Sequence, residues 1–141
     1  MSGYLLDTNC ISELVRPKPE PSVLEWIEAA DESLLYLSVL TLGEIRKGVA
    51  GLPQGERRTR LETWLEVELR ERFANRILEI DEGVADRWGL LAATAKKRGK
   101  AISAIDGLLA ATAVHYNLTI VSRNVSDFVD VQVQVLSPWN G

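Results

Sequence analysis

The chain has 141 residues, 46% hydrophobic and 26% charged, an ordinary globular composition with enough apolar material for one substantial core. Its formal net charge of −4 excludes binding of nucleic acid through bulk positive charge. A single Cys10 excludes an internal disulfide, and neither an export signal nor a run of about 18 apolar residues is present, so a cytoplasmic protein with no membrane contact is expected.

Residues 3–6 read as a first strand, and 8–15 as a short helix that stops before Pro17 and Pro19. Pro21 suits the first turn of a second helix with Val23, Trp26 and Ile27 as its stripe. A strand at 34–38 leads to a helix at 44–50, and a long polar helix at 55–75 follows, with Leu61, Trp64, Leu65 and Leu69 as its apolar seam. A third strand is expected at 77–80. The spacing then predicts a helix over 83–98 on Val84, Trp88, Leu91 and Ala95, and another over 105–116 on Ile105, Leu108, Leu109, Thr112 and Ala113. Strands at 118–122 and 131–136 complete the chain, the last with the strict alternation of a half-exposed edge. Strands alternating with helices predict one α/β domain over residues 1–141, built on a parallel sheet. There is no repeat and no GxxxxGK[ST] phosphate loop.

Four polar residues sit just beyond apolar runs: Asp7 after 3–6, Glu44 after 34–42, Asp106 after Ala101 and Ile102, and Asn124 after 118–121. Where such runs are parallel strands, or lead into the helices that follow them, their ends lie along one edge of an open sheet, where ligands bind. Carboxylates gathered there repel one another unless a cation neutralises them, and oxygen donors without His or Cys suit Mg²⁺ or Mn²⁺ rather than zinc. Metal-dependent phosphoryl transfer or nucleic-acid cleavage is the chemistry this pattern points to. Each acid also suits a helix cap: Thr41 and Ser103 stand three residues before Glu44 and Asp106, and Asp7 precedes the helix that begins at Thr8. Thr8, Asn9 and Ser38 are small polar groups able to orient ligands or to cap turns. The only histidine, His115, stands near a helix end, so no Ser–His–Asp triad can be built elsewhere. Arg57, Arg58, Arg60 with Arg70, Arg72, Arg76, and Lys96, Lys97, Arg98 with Lys100, are two basic clusters that read as solvated helix faces or as a local RNA-binding patch.

Taken in order, Leu5-Leu6-Asp7-Thr8-Asn9, Leu37-Ser38 with Thr41-x-x-Glu44-Ile45, Asp106 to Ala113, Ser122-Arg123-Asn124-x-x-x-Phe128 and Pro138-Trp139 resemble the PIN-domain nucleases, in particular the VapC-like and FitB-like toxins of bacterial toxin–antitoxin pairs. The resemblance implies a parallel sheet sandwiched by helices, and Asp7, Glu44 and Asp106 as metal-binding catalytic acids. It implies a Mg²⁺- or Mn²⁺-dependent endoribonuclease acting on RNA, often a homodimer, neutralised by a cognate antitoxin. The sequence departs from the pattern at Asn124, where the FitB-like motif often has a fourth acid; Asp127, three residues on, is the alternative fourth metal ligand. Two other readings stay open: a catalytically weakened PIN-like domain that binds RNA or a partner without cutting, and an α/β phosphatase-like domain using Asp7 as nucleophile.

Overall fold

The structure is a computed structural model that describes residues 3–129 and 131–140. β1 (Gly3–Leu6) turns Leu5 to one face of the sheet and Leu6 to the other, and both are fully buried. β2 (Leu35–Ser38), β3 (Ile77–Leu78), β4 (Leu118–Val121) and β5 (Val135–Leu136) join it in the order β3-β2-β1-β4-β5, with every pair parallel. Parallel neighbours need crossovers, and these cover both faces with helices. On one face α1 (Thr8–Ser12), α2 (Pro21–Ala29) and α3 (Val39–Ala50) close over Leu6, Leu35, Leu37 and Val121. They are joined there by α4 (Glu56–Thr63), a π-helical stretch (Trp64–Glu68) and α5 (Leu69–Arg72). On the other face α6 (Glu82–Lys97) and α7 (Ala104–His115) pack together over Leu5, Leu118 and Ile120. Gly107 permits that packing, since a Cβ there would stand 3.0 Å from the Trp88 indole. The strand order reverses at β1: the chain steps outward to β2 and β3, then returns to β4 on the other side, which opens a crevice at the carboxyl ends of β1 and β4.

Several boundaries differ from those expected, each for a local reason. The third helix begins at Val39 and not at Glu44, because the Ser38 hydroxyl accepts the Leu40 N–H at 3.0 Å and starts the helix directly at the strand end. The apolar run at 34–42 is therefore turn, strand, cap and first helical turn in succession, and Thr41 is buried inside α3 rather than capping it. Leu34 completes a 3₁₀ turn (Glu32–Leu34), so β2 starts one residue later. Ala101 and Ile102 form a loop and no strand. Ser103 caps α7 by accepting the Asp106 N–H at 3.2 Å, and Asp106 falls in the first turn. The strand expected at 131–136 shrinks to Val135–Leu136, because the Val133 N–H is spent on Val131 O at 2.8 Å in a tight turn. Residues 1, 2, 130 and 141 of the expected domain lie outside the described residues. Among the described residues no helix is long and apolar enough to cross a membrane.

Candidate active site

Strand register brings the first acid to the crevice. Leu6 pairs with Val121 across β1 and β4, so Asp7 and Ser122, the next residues of each strand, leave the sheet side by side. The Asp7 N–H still bonds Val121 O at 2.9 Å, while its carboxylate caps α1, with Oδ1 accepting the Thr8 N–H at 2.8 Å. Oδ2 accepts the Ser122 hydroxyl at 2.7 Å in a buried contact. Asp7 thus works as the helix cap its position suggests, and it also stands at the switch point of the sheet.

Glu44 reaches the same place from α3. Placed one and a half turns into the helix, it accepts the Thr8 hydroxyl on Oε1 at 2.5 Å, and the Thr8 and Thr41 hydroxyls lie 3.4 Å apart. Asp106 arrives from the first turn of α7 and is half-buried. Among the described residues none of these three carboxylates is ion-paired with a basic side chain. Burial raises the Asp7 carboxyl above its ordinary range; the Ser122 hydroxyl and the Thr8 N–H oppose this, and the charges of Glu44 and Asp106 raise it further. The structure therefore brings the three sequence-selected acids into one electrostatic neighbourhood. Among the described residues no three acidic, imidazole or thiol groups are drawn in tightly enough to hold an ion as they stand. Like charges converge fully only around a counter-charge, and a set of carboxylate oxygens with no nitrogen or sulfur donor fits a hard divalent cation.

The fourth position resolves into two places. Asn124 is exposed on the loop that leaves β4, its backbone N–H bonded to the Ser122 hydroxyl at 3.0 Å. Asp127 is exposed on a 3₁₀ turn (Val125–Phe128) and lines an open groove of about 410 Å³ with Asp106, Ser103, Ser126 and Ile102. Asp127 therefore shares a groove with Asp106, while Asn124 is tied to the Asp7 side through its backbone N–H to Ser122.

The remaining candidates fall elsewhere. His115 ends α7, nine residues and so roughly 13 Å beyond Asp106 along the helix, where its Nδ1 accepts the Arg87 Nε–H at 3.3 Å. Arg72 and Arg76 of the first basic cluster are bound to Glu32, and Arg58 donates to Leu52 O and pairs with Glu62. Cys10 is buried, and burial pushes its thiol up to about 12, the behaviour of a packed hydrophobe. One contribution was not assigned from the sequence, the hydroxyl of Ser122 to Asp7; Thr8, selected as a group able to orient a ligand, holds Glu44. The available signal was a small polar residue at the carboxyl end of a buried strand, next in register to Asp7.

Comparison with known proteins identifies the class of fold and site: the PIN domain family model matches residues 4–133, and the chain belongs to that family. It is 41% identical over 136 residues to Toxin FitB of Neisseria gonorrhoeae, covering 96% of this chain and 98% of that protein. To VapC ribonuclease Y4jK of Sinorhizobium fredii it is 40% identical over 135 residues, covering 96% of each. The crystal structure of FitAcB from Neisseria gonorrhoeae superposes with a TM-score of 0.93 at 40% identity, over 98% of this chain and 99% of that one. VapBC-1 from nontypeable Haemophilus influenzae superposes with a TM-score of 0.79 at 28% identity, over the whole of both chains.

Proposed function

We propose that the chain, acting as a single PIN domain over residues 1–141, is a divalent-metal-dependent endoribonuclease and the toxin of a toxin–antitoxin pair. The observation that carries this reading is the meeting of Asp7, Glu44 and Asp106 at the switch point of a parallel sheet in a chain similar to toxins and ribonucleases. Asp7, Glu44 and Asp106 would hold Mg²⁺ or Mn²⁺, with Asn124 or Asp127 completing the set. The ion supplies neutralisation of the scissile phosphate and a water acidic enough to provide a nucleophile at neutral pH. This chain's part is to fix the ligands: α1 and Ser122 hold Asp7 from two sides, Thr8 holds Glu44, and the Ser103 cap starts the helix turn that presents Asp106. Asp7 is poorly suited to act as a phospho-acceptor, because it is buried and both oxygens already accept hydrogen bonds.

The likeness to Toxin FitB supports an antitoxin as the protein partner, and the RNA substrate implies action in the cytoplasm. The deciding experiment is cleavage of RNA by the purified chain with Mg²⁺, Mn²⁺, Ca²⁺ or chelator. Cleavage with the first two, little with Ca²⁺ and none with chelator is expected; metal-independent cleavage, or none under any condition, refutes the reading. Growth arrest on expression, relieved by the adjacent small gene, tests the toxin role.

A further inference from the structure

β4 ends at Val121, and the next three residues must stand against Asp7 although they lie more than a hundred positions away from it. One side chain spans that junction. Asn9, half-buried in the first turn of α1, donates from Nδ2 to the Ser122 hydroxyl oxygen at 3.3 Å and accepts the Arg123 N–H on Oδ1 at 3.2 Å. Ser122, with no exposed surface, donates its hydroxyl hydrogen bond to Asp7 Oδ2 at 2.7 Å and accepts the Asn124 N–H at 3.0 Å. An amide presents a donor and an acceptor in one plane, so a single side chain grips the loop at two successive residues. Local demands do not explain Asn9: Asp7 already caps α1, and Asn is a poor helix former.

We propose that Asn9 is a positioning residue which, through Ser122, sets the exit loop of β4 against Asp7 and thereby the geometry in which the site takes up a divalent cation. The proposal rests on the metal-dependent reading above. Removing Asn9 leaves Asp7 its two hydrogen bonds but releases Arg123 and deprives Ser122 of one of its two donors. The exit loop is then held against Asp7 through the Ser122 hydroxyl alone. Removing the Ser122 hydroxyl breaks the link at its centre, whereas Thr at that position retains it.

The test uses the full chain, with Mn²⁺ titrated by electron paramagnetic resonance and amide hydrogen exchange followed at Arg123 and Asn124 in the absence of metal. Asn9→Ala is expected to weaken Mn²⁺ binding about tenfold, the usual effect of losing a group that orients a ligand, and to speed exchange at both amides. Ser122→Ala should do the same, and Ser122→Thr should restore both properties towards wild type, keeping the test open if one variant folds poorly. Unchanged exchange in Asn9→Ala and Ser122→Ala overturns the clamp. Faster exchange with Mn²⁺ affinity within twofold of wild type overturns its role in the site. A wild-type chain that takes up no Mn²⁺ refutes the metal reading instead, and the exchange rates alone then decide whether Asn9 holds the loop.

Discussion

Arg76 tests whether the first basic cluster meets RNA or locks the fold. Its Nη1 donates to Glu32 O and to Leu35 O, both at 2.6 Å, and its Nη2 bonds Glu32 Oε2 at 3.1 Å and the Arg72 carbonyl. The guanidinium carbon also lies 5.1 Å from the Phe73 ring centroid. The side chain is only 17% exposed, so it ties the turn before β2 to the loop that leads into β3. Each charged donor to a carbonyl contributes about 1.5 kcal/mol and the ring contact about 0.5 kcal/mol, while the pair with the 46%-exposed Glu32 adds little. Arg76→Ala should therefore destabilise by roughly 5 kcal/mol, or about 15 °C in Tm for a chain of this size. Arg76→Lys, a point charge that cannot make the fork, should recover less than half. Urea unfolding gives the stability, and cleavage per folded molecule at 20 °C gives the chemistry, where both variants should lie within twofold of wild type. A loss below about 1 kcal/mol, coupled to weaker RNA binding, would refute the structural lock and return Arg76 to the substrate surface.

Asp7→Asn, Glu44→Gln and Asp106→Asn should each lower RNA cleavage by at least 100-fold while melting within about 1 kcal/mol of wild type, because the removed charges repel one another and Asn still caps α1; retained cleavage with a large stability loss would make these residues caps alone. Asn124→Asp should tighten Mn²⁺ binding about tenfold in a calorimetric titration, and no change would transfer the fourth place to Asp127. Acid should weaken the entry to α6: the Val84 N–H, then the Tyr116 hydroxyl and His115, outweigh the opposing effect of burial and hold the Asp81 carboxyl below its ordinary 3.8. A lowered carboxyl stabilises the fold above its unfolded value, and that contribution is lost as pH falls through the folded value. Asp81→Asn should flatten the acid limb of a stability–pH curve below about pH 4, and an unchanged limb would remove Asp81 from it.

The order of strands and helices was legible because each signal is short-range. The apolar run of Gly3–Leu6, the stripe of Val23 and Ile27, and the cap at Ser103 are all written within a few residues. What failed was the transition between periods. At Ser38 a buried strand passes into a buried helix with no polar break, so nothing in 34–42 marks where a period of two becomes 3.6, and Glu44 was placed at the start of a helix that already runs from Val39. Val131, Val133 and Val135 alternate like a strand, yet a single bond from Val133 N–H to Val131 O takes the first half out of the ladder.

The site divides along the same line between local and distant information. Asp7, Glu44 and Asp106 were selected by residue type and by position after apolar runs, and two of those runs lead into helices: Ala101 and Ile102 form a loop ahead of α7, and 34–42 passes through β2 into α3, where Glu44 stands. The selection nonetheless reached neighbouring acids because helices that start at the carboxyl edge of a parallel sheet deliver their first two turns to that edge whether or not a strand immediately precedes them. Orientation follows a different rule. Ser122 and Asn9 each have an ordinary local use, one ending a strand and the other in a helix turn, and their bonds to each other and to Asp7 exist only once β1 and β4 are in register. A one-residue slip of that register would carry Ser122 to the opposite face and leave Asp7 buried beside Glu44 and Asp106 without its hydroxyl donor. The pairing that builds the core is thus also what fixes the acid: Asn9 and Ser122 are legible in the sequence as small polar residues, but the bonds between them exist only through that pairing.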